Sequence, residues 1–258
     1  MNDLSHFEKM ESYIPIDLLS LKGFAIANLV MLGFIIMRYF VMVFPFYFLF
    51  WKKRIAKSRV SYLHDQMVKN DQINSEIKWS LSSSFIFAFS GYLIGVAWQQ
   101  GWSQIYLQFD EYPLWYLLLS FILYSLVHEI YFYWTHVWMH IPKIYRRIHS
   151  IHHYSVKTSP WASFSFHPYE AVVHAIFLPI FVCVIPIHPV VILLYLTFMT
   201  VTAISNHLGV ELLFPKILRK YFISGTHHAV HHEKFRFNYG LYYCFMDQLM
   251  GTQKMETK

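Results

Sequence analysis

The composition of this chain indicates a membrane protein and argues against a soluble domain. Of its 258 residues, 56% are hydrophobic and only 14% are charged, whereas about a quarter of the residues of a soluble domain are charged. The net charge of +6 does not indicate a nucleic-acid partner, because the basic residues are interspersed with apolar runs and form no binding face with aromatic residues between them. Two cysteines, Cys183 and Cys244, argue against a disulfide framework and a cysteine-ligated zinc site.

The N-terminal region predicts a polar segment followed by one membrane span. Residues 1–23 are mixed in charge and have no short apolar core with a small-residue cleavage site, so we expect no cleavable signal peptide. Residues 24–51 are apolar except for Arg38, which is long enough for one tilted crossing at about 20 residues per span and too short for two. We expect Arg38 to face other helices or to reach toward the membrane interface.

The charges of the loops predict the orientation of the first three spans. The loop after the first span is strongly basic, so the positive-inside rule places it in the cytoplasm and the N-terminus on the far side. A second span is predicted at 79–98, with a tryptophan at each end, and the next loop has acidic residues but no Lys or Arg. A third span at 114–135, about 33 Å long, returns the chain to the cytoplasm. The basic residues of the first loop are Lys52, Lys53, Arg54, Lys57 and Arg59.

A second apolar region, residues 171–206, contains a cluster of prolines. Pro179, Pro186 and Pro189 lie in its middle and predict a break into two shorter segments, because proline interrupts a helix. We interpret the region as a helical hairpin that enters the membrane and returns to the side from which it came. This hairpin brings His207 to the cytoplasmic face.

Histidines recur at helical spacing in three boxes. His136 and His140 are four residues apart and follow the third span. Because residues at i, i+3 and i+4 share a helix face, we expect each box to present its imidazoles in one direction. Such a nitrogen-rich set without cysteine suits iron, zinc or copper. The other two boxes have the pattern H-x-x-H-H and consist of His149, His152 and His153, and of His228, His231 and His232.

The number of histidines favours two metal ions. A single ion takes about four to six ligands and some positions must stay open for chemistry, so eight imidazoles exceed what one ion needs. His207 is a candidate for a ninth ligand. His128, His167 and His227 lie outside the box spacing, and we expect them to form hydrogen bonds near the site rather than to ligate metal.

Three carboxylates are candidates for supporting the site. Glu129 lies seven residues before His136, on the same helix stripe, and either orients a ligating imidazole or makes a simple polar contact in the bundle. Glu211 is four residues after His207 and is a ligand, a hydrogen-bond acceptor or a helix-surface charge. Asp247 is a candidate for fixing the tautomer of an imidazole, or else an ordinary carboxylate at a helix end.

These boxes and their flanking sequences resemble a known family. The order of the boxes, together with EIYFYWTH, SFSFHPYE, SNHLGVE and NYGLYYCFMDQLMGT, is similar to the fatty acid hydroxylase and sterol desaturase superfamily over about residues 125–253. The resemblance implies a membrane enzyme with two iron ions that uses O2 and two electrons to hydroxylate or desaturate a C–H bond of a lipid. Zinc is expected to occupy such imidazole sites readily in purified protein.

A lipid from the bilayer and an external electron donor are the expected partners. Aromatic residues near the boxes are candidates for lining a lipid cleft, although many aromatics of membrane proteins simply lie at the interface. The sequence has no dinucleotide-binding fingerprint and no cysteine ligands for a cluster, so a separate cytochrome, ferredoxin or reductase is implied. The aromatic candidates are Tyr131, Phe132, Tyr133, Trp134, Trp138, Trp161, Phe164 and Phe166.

Together these features predict an all-α, multi-pass transmembrane helical bundle with a cytoplasmic histidine-rich cap that holds a dimetal site. We expect residues 24–112 to form two spans with their loops, and residues 113–258 to form the catalytic domain. The membrane is either a bacterial inner membrane or the endoplasmic reticulum. The alternatives are a metal-binding transport protein, which would need ligands near the middle of the bilayer, and a non-catalytic lipid-binding relative. The substrate class, sterol or acyl lipid, stays open.

Overall fold

The fold was analysed in a computed structural model, which describes residues 13–54, 60–63, 68–212 and 217–255. It is mostly helical, as predicted, with two short strands, β1 (Val60–Tyr62) and β2 (Val210–Leu212). The α-helices are α1 (Leu21–Phe46), α2 (Asn70–Gln99), α3 (Trp115–Met139), α4 (Pro142–Tyr145), α5 (Pro168–Ala175), α6 (Phe177–Phe181), α7 (Pro189–Asn206), α8 (Gly225–Lys234) and α9 (Phe245–Leu249).

Four helical segments among the described residues are long and apolar enough to cross a membrane: Leu21–Lys52, Asn70–Gln99, Trp115–Met139 and Pro189–Asn206. The first three overlap the three predicted spans and confirm a multi-pass helical architecture. The fourth is the second arm of the predicted hairpin, and its 18 residues make it a candidate span by itself.

The first span changes its helical geometry near its C-terminal end. Pro45 lies inside α1, and the chain continues as a π-helix over Tyr47–Lys52, since a proline cannot donate the backbone hydrogen bond that the α-helix needs. Within this turn Trp51 is buried, and its Nε1 donates to the carbonyl oxygen of Leu208 at 2.8 Å. This bond fixes the end of the first span beside the end of α7. Lys57 and Arg59 of the basic loop lie outside the described residues.

The proline cluster breaks the second apolar region as expected, although Pro179 lies within α6. The break falls between α6 and α7, where Pro189 occupies the first turn of α7 and the His188 side chain accepts from the Val190 amide. On α3, the Tyr124 hydroxyl lies 3.0 Å and 2.9 Å from the carbonyl oxygens of Phe181 and Ile185. The third span therefore holds the turn of the hairpin directly.

Two buried apolar clusters hold the bundle together. One joins α3 to the hairpin through Tyr124, Phe177 and Tyr195. The other joins α1 to the chain around Trp161 and the end of α7, where the Tyr39 hydroxyl donates to the carbonyl oxygen of Trp161 at 2.9 Å. Fully burying side chains of this size contributes about 1.5–3 kcal/mol each, so these clusters fix how the helix ends meet.

The two strands pair antiparallel, with Ser61 opposite Glu211, which the sequence analysis did not predict. Because α7 ends at Asn206, Glu211 lies buried on a strand, so of the three roles considered for it the helix-surface charge is wrong. Glu211 instead accepts hydrogen bonds from the hydroxyl of Ser224 and the amide of Thr226, both at 2.8 Å. Its carboxylate therefore anchors the first turn of α8.

A buried carboxylate on α2 fixes the segment that follows the second histidine box. Glu76 is 2% exposed, and it accepts hydrogen bonds from the hydroxyls of Ser155, at 2.7 Å, and Ser159. Gln72, one turn earlier, donates to the same carboxylate and to the carbonyl oxygen of Lys157. The second box thus leads into a segment that is held against the second span.

We expect Glu76→Ala to lower the thermal stability of the detergent-solubilised protein. Charge-assisted hydrogen bonds to buried groups contribute about 1.5–3 kcal/mol, so the transition should fall by roughly 4–10 °C, measured by intrinsic fluorescence. The matched control is Asp71→Ala, which removes an exposed carboxylate from the first turn of the same helix. An equal change in both variants would contradict the anchoring role of Glu76.

Candidate metal centre

Nine histidines meet in two neighbouring groups. Within each group the candidate ligand nitrogens all lie within 4.8 Å of one another. The five-histidine cluster consists of His136, His140, His149, His153 and His231. The four-histidine cluster consists of His152, His207, His228 and His232. The structure therefore brings together all eight box histidines and His207.

The spacing of the imidazole nitrogens fits metal coordination. In the five-histidine cluster, Nε2 of His149 lies 3.1 Å from Nε2 of both His136 and His153. In the four-histidine cluster, Nε2 of His207 lies 3.2 Å from that of His152 and 2.9 Å from that of His228. Nitrogens bound at about 2.0–2.1 Å and at right angles are about 2.9 Å apart, and tetrahedral ones are about 3.4 Å apart.

Each H-x-x-H-H box contributes to both clusters. On α8 the pair His228 and His232, separated by four residues, joins the four-histidine cluster, whereas His231 joins the other. In the second box the assignment is reversed, since His152 alone joins the four-histidine cluster. The expectation that a box presents all its imidazoles in one direction is therefore correct for the i, i+4 pairs and wrong for the residue at i+3.

The local structure of the boxes explains this division. The second box is not in an α-helix: His149 lies in turns, and His152–Tyr154 is a 3-10 helix. The third box lies in α8, whose N-terminus is fixed by a capping box between Ser224 and His227. A Cβ on Gly225 would lie 2.6 Å from the carbonyl oxygen of Val210, so glycine is required where α8 packs against β2.

Backbone carbonyls fix the tautomers of several ligand histidines. The Nδ1 atoms of His136, His207 and His231 lie 2.8 Å from the carbonyl oxygens of Tyr239, Ala203 and Phe237, respectively. A carbonyl oxygen only accepts, so each Nδ1 carries the proton and each Nε2 keeps its lone pair. The Nε2 lone pairs therefore converge at about 3 Å spacing, and a cation between them turns this repulsion into attraction. On this observation the residues fit a bound metal ion.

Burial keeps these imidazoles in the neutral form that ligates metal. It lowers the pKa of His140 and of His207 to about 4, and nearby imidazoles contribute further for several of the others. At neutral pH these imidazoles could therefore bind metal without first losing a proton to solvent. The pKa is lowered well below its ordinary value, with burial as the largest cause, for His149, His152, His153, His228, His231 and His232.

One carboxylate at the site was missed by the sequence analysis. Glu170, in the first turn of α5, is fully buried, and its Oε1 lies 2.7 Å from Nδ1 of His149 and 3.6 Å from Nε2 of His174. It thus orients a member of the five-histidine cluster directly. The signal available in the sequence was its place at the end of SFSFHPYE, residues 163–170, which follows the second box by ten residues.

Glu129 and Asp247 act one hydrogen bond farther from the imidazoles than the sequence suggested. Glu129 accepts from the amides of residues 241–243, and Asp247 accepts from the amides of Tyr239 and Gly240, both at 2.9 Å. Both carboxylates therefore position the backbone segment whose Tyr239 carbonyl binds a ligand imidazole. A Cβ on Gly240 would lie 2.7 Å from Glu129 Oε1, which explains a glycine between the two carboxylates.

The other predicted histidines lie outside both clusters. Nδ1 of His128 is within hydrogen-bonding distance of the hydroxyls of Tyr195, at 2.6 Å, and Tyr242, at 2.8 Å. His167 caps the N-terminus of α5, and His227 takes part in the capping of α8. These three residues form hydrogen bonds near the site.

A largely apolar cavity of about 260 Å³ lies between α1, α2, α3 and the hairpin. Three of the predicted aromatic residues, Phe132, Phe164 and Phe166, line it. The rings of Phe132 and Phe166 each lie 5.1 Å from a ligand imidazole, that of His136 and that of His152, respectively. The cavity therefore ends at an aromatic wall beside both clusters.

Comparison with known sequences identifies the family. The sequence profile described as fatty acid hydroxylase matches residues 121–252, about half of the chain, and spans all three boxes. The chain belongs to the fatty acid hydroxylase family. It is thereby an O2-dependent lipid-oxidising enzyme of the fatty acid hydroxylase and sterol desaturase superfamily, and its four apolar segments suit a membrane location.

Curated relatives of this fatty acid hydroxylase family member include sterol enzymes. Lathosterol oxidase of Homo sapiens is 28% identical over 227 residues, which cover 86% of this chain and 72% of the relative. Lathosterol oxidase of Mus musculus is 29% identical over 86% of this chain and 72% of its own length. A Delta(7)-sterol 5(6)-desaturase of Gibberella zeae is 29% identical over 74% of this chain and 58% of its own length. No solved structure gives a significant match.

We expect that removing one candidate ligand histidine abolishes metal binding at its own cluster and leaves the other cluster loaded. Wild type should hold about two metal ions per chain, and both His152→Ala and His231→Ala should hold about one, measured by elemental analysis after iron supplementation. His167→Asn is the control, because asparagine can replace a histidine at a helix cap without touching either cluster. Two ions in His152→Ala would exclude His152 as a required ligand.

Removing the charge of Glu170 should weaken metal binding without abolishing it. We expect Glu170→Gln to lose metal to a chelator at about 10–100-fold lower chelator concentration than wild type, because His149 loses its charged partner. Glu233→Gln is the matched control, since Glu233 is exposed and pairs with Lys234 at the end of α8. Equal chelator resistance in Glu170→Gln and wild type would show that Glu170 does not support the site.

Proposed function

We propose that this protein is a di-iron membrane oxidase that uses O2 and two electrons to hydroxylate or desaturate a C–H bond of a lipid. The observation that carries the proposal is the position of two all-histidine clusters at the aromatic end of an apolar cavity. The names of the sterol enzymes among its relatives make a sterol the first substrate to test, with a fatty acyl lipid as the second.

The donor set supports iron and leaves room for chemistry. Imidazole nitrogen suits iron, zinc and copper alike, and zinc in purified protein would reflect its higher affinity for such sites. An octahedral ion would have one free position in the five-histidine cluster and two free positions in the four-histidine cluster. When bound, the two iron ions would supply the activation of O2 that carbon–hydrogen bond cleavage needs.

The protein's own residues would exclude water from the site, orient the imidazoles and hold the lipid. The ligand histidines His152 and His231 are 4% and 0% exposed, so bulk water has little access to the reacting atoms. The carbonyls of Tyr239, Ala203 and Phe237 hold the imidazole protons at Nδ1. The cavity walls would hold the hydrocarbon of the lipid so that it points toward Phe132 and Phe166.

The two outcomes differ in where the second hydrogen goes. In hydroxylation, one C–H group, O2, two electrons and two protons give C–OH and one water. In desaturation, two neighbouring C–H groups with the same electrons and protons give a carbon–carbon double bond and two waters. The placement of the second C–H bond in the cavity decides between them.

The electrons would come from a separate cytochrome, ferredoxin or reductase at the cytoplasmic side. The end of the bundle that carries the clusters also carries exposed basic residues between the first and second boxes, Lys143 in α4 and Arg146 and Arg147 in the turns after it. By the positive-inside rule these residues favour a cytoplasmic site, and they suit an acidic electron donor. The membrane itself is either a bacterial inner membrane or the endoplasmic reticulum.

We expect iron-loaded protein in lipid vesicles, supplied with O2 and a reduced electron donor, to convert a Delta(7)-sterol or a fatty acyl lipid into an oxidised product. Mass spectrometry after reaction with ¹⁸O₂ separates the outcomes, because hydroxylation places label in the product and desaturation does not. His152→Ala should lower the rate by more than about 100-fold, beyond the usual effect of losing an outer hydrogen bond. No O2-dependent product from any lipid, with both metals bound, would contradict the proposal.

A further inference from the structure

The hydroxyl groups that line the apolar cavity all have hydrogen-bond partners within the protein, and a charged group there is the exception. The hydroxyls donate mostly to backbone carbonyls, as Ser90 does to Ala175 at 2.8 Å, or pair with a side chain, as Tyr195 does with His128. Hydroxyls paired in this way leave an apolar surface to a ligand. The lining hydroxyl groups with such partners are those of Tyr39, Ser84, Ser90, Ser163, Tyr195 and Thr200.

The exception is Arg38, the one guanidinium or ammonium group among the described residues that line the cavity. Its Nη1 lies 3.5 Å from the carbonyl oxygen of Leu196, which already accepts the Thr200 hydroxyl at 2.8 Å. No carboxylate of the described chain pairs with it, as the four ion pairs found there involve other residues. Because a guanidinium has several N–H donors and no acceptor, most of its hydrogen-bonding capacity is left for a ligand.

We propose that Arg38 binds the oxygen function of the lipid substrate, either a carboxylate or a hydroxyl group. An ionisable side chain in the middle of a membrane span is costly unless it has a partner or a function, and the bond to Leu196 is long. A lipid oxygen that enters the cavity supplies the acceptor that the walls do not. The description of the ligand as a substrate rests on the proposed lipid-oxidising function, but the experiment that tests the role of Arg38 measures binding alone.

The position of Arg38 also orients the lipid. Leu196 and Ala203 are seven residues apart on α7, about 10 Å along the helix axis, and the carbonyl of Ala203 binds the ligand His207. The oxygen end of the lipid therefore lies away from the clusters, and the hydrocarbon end points toward Phe132 and Phe166. The Arg38 contact and the His207 end of α7 are therefore about 10 Å apart along the helix axis.

The test compares binding of matched probes to metal-loaded wild type, Arg38→Met and Lys78→Met. The probes are palmitate against hexadecane and cholestanol against cholestane, so that each pair differs in its oxygen function alone. Bound probe is quantified by mass spectrometry after the protein in detergent is separated from free probe. Lys78→Met removes an exposed cation from α2, outside the cavity, and metal content verifies that each variant is folded.

We expect wild type and Lys78→Met to prefer at least one oxygenated probe by about tenfold or more, and Arg38→Met to lose that preference while binding the hydrocarbon as before. The palmitate pair responds if the partner is a carboxylate, and the cholestanol pair responds if it is a hydroxyl. No preference in wild type, or the same preference in Arg38→Met, overturns the assignment and leaves Arg38 as a contact between α1 and α7.

Two further results separate this inference from the proposed function. Loss of preference only in Arg38→Met, in a protein that oxidises no lipid, would support the binding role of Arg38 and contradict the oxidase proposal. Where wild type does form a product, mass spectrometry locates the new oxygen or double bond. Oxidation next to the oxygen function of the lipid would overturn the orientation.

Discussion

The convergence of nine neutral imidazoles is the constraint on which the rest of the structure depends. Their Nε2 atoms meet at about 3 Å spacing, with the protons of several held at Nδ1 by backbone carbonyls. Such an arrangement of lone pairs is unfavourable without a cation, so metal binding would supply free energy to the folded state. The candidate ligands come from α3, the turns after α4, the end of α7 and α8, and bound metal ions would therefore tie together the ends of elements that the apolar clusters bring close.

The division of the boxes makes the two clusters interdependent. His231 and His232 are neighbours on α8 but belong to different clusters, and His152 and His153 are divided in the same way. Rotation of α8 that improved one coordination shell would therefore displace a ligand of the other. Because α8 is held by its capping box and by Glu211 of the small sheet, its orientation is already fixed in part by the protein, and two bound metals would fix it further. The carboxylates Glu129 and Asp247 act in the same manner on the segment that supports His136.

The sequence predicted what depends on local spacing and missed what depends on distant contacts. The length of the apolar runs was sufficient for the spans, and helical spacing was sufficient for the pairs His136/His140 and His228/His232, because these follow from residues near one another in the chain. The candidate role of His207 came from the predicted hairpin. The direction of His152 was not predictable, since the second box is in turns and a 3-10 helix, not an α-helix. His231 does lie in the helix α8, but it is one residue, or about 100° around the helix, away from His232, and it joins the other cluster. Glu170 was missed because its contact with His149 crosses 21 residues, and the pairing of β1 with β2 joins segments about 150 residues apart.

The cavity and the clusters differ in which partner carries the charge, the protein or the ligand. At the clusters, buried neutral imidazoles are arranged so that they could bind a cation. At Arg38, a charge of the protein itself lies in an apolar cavity with one long hydrogen bond to the protein, so that a lipid oxygen can accept from it. A site that must hydrogen-bond its ligand discriminates strongly against an analogue without the polar group, because the buried donor is then left unpaired. Apolar walls distinguish lipids by size and shape, by about 10–200-fold for one methylene, but they do not recognise an oxygen function. Selectivity for an oxygen-bearing lipid over the matching hydrocarbon should therefore depend on Arg38 and not on the hydrocarbon contacts that surround it.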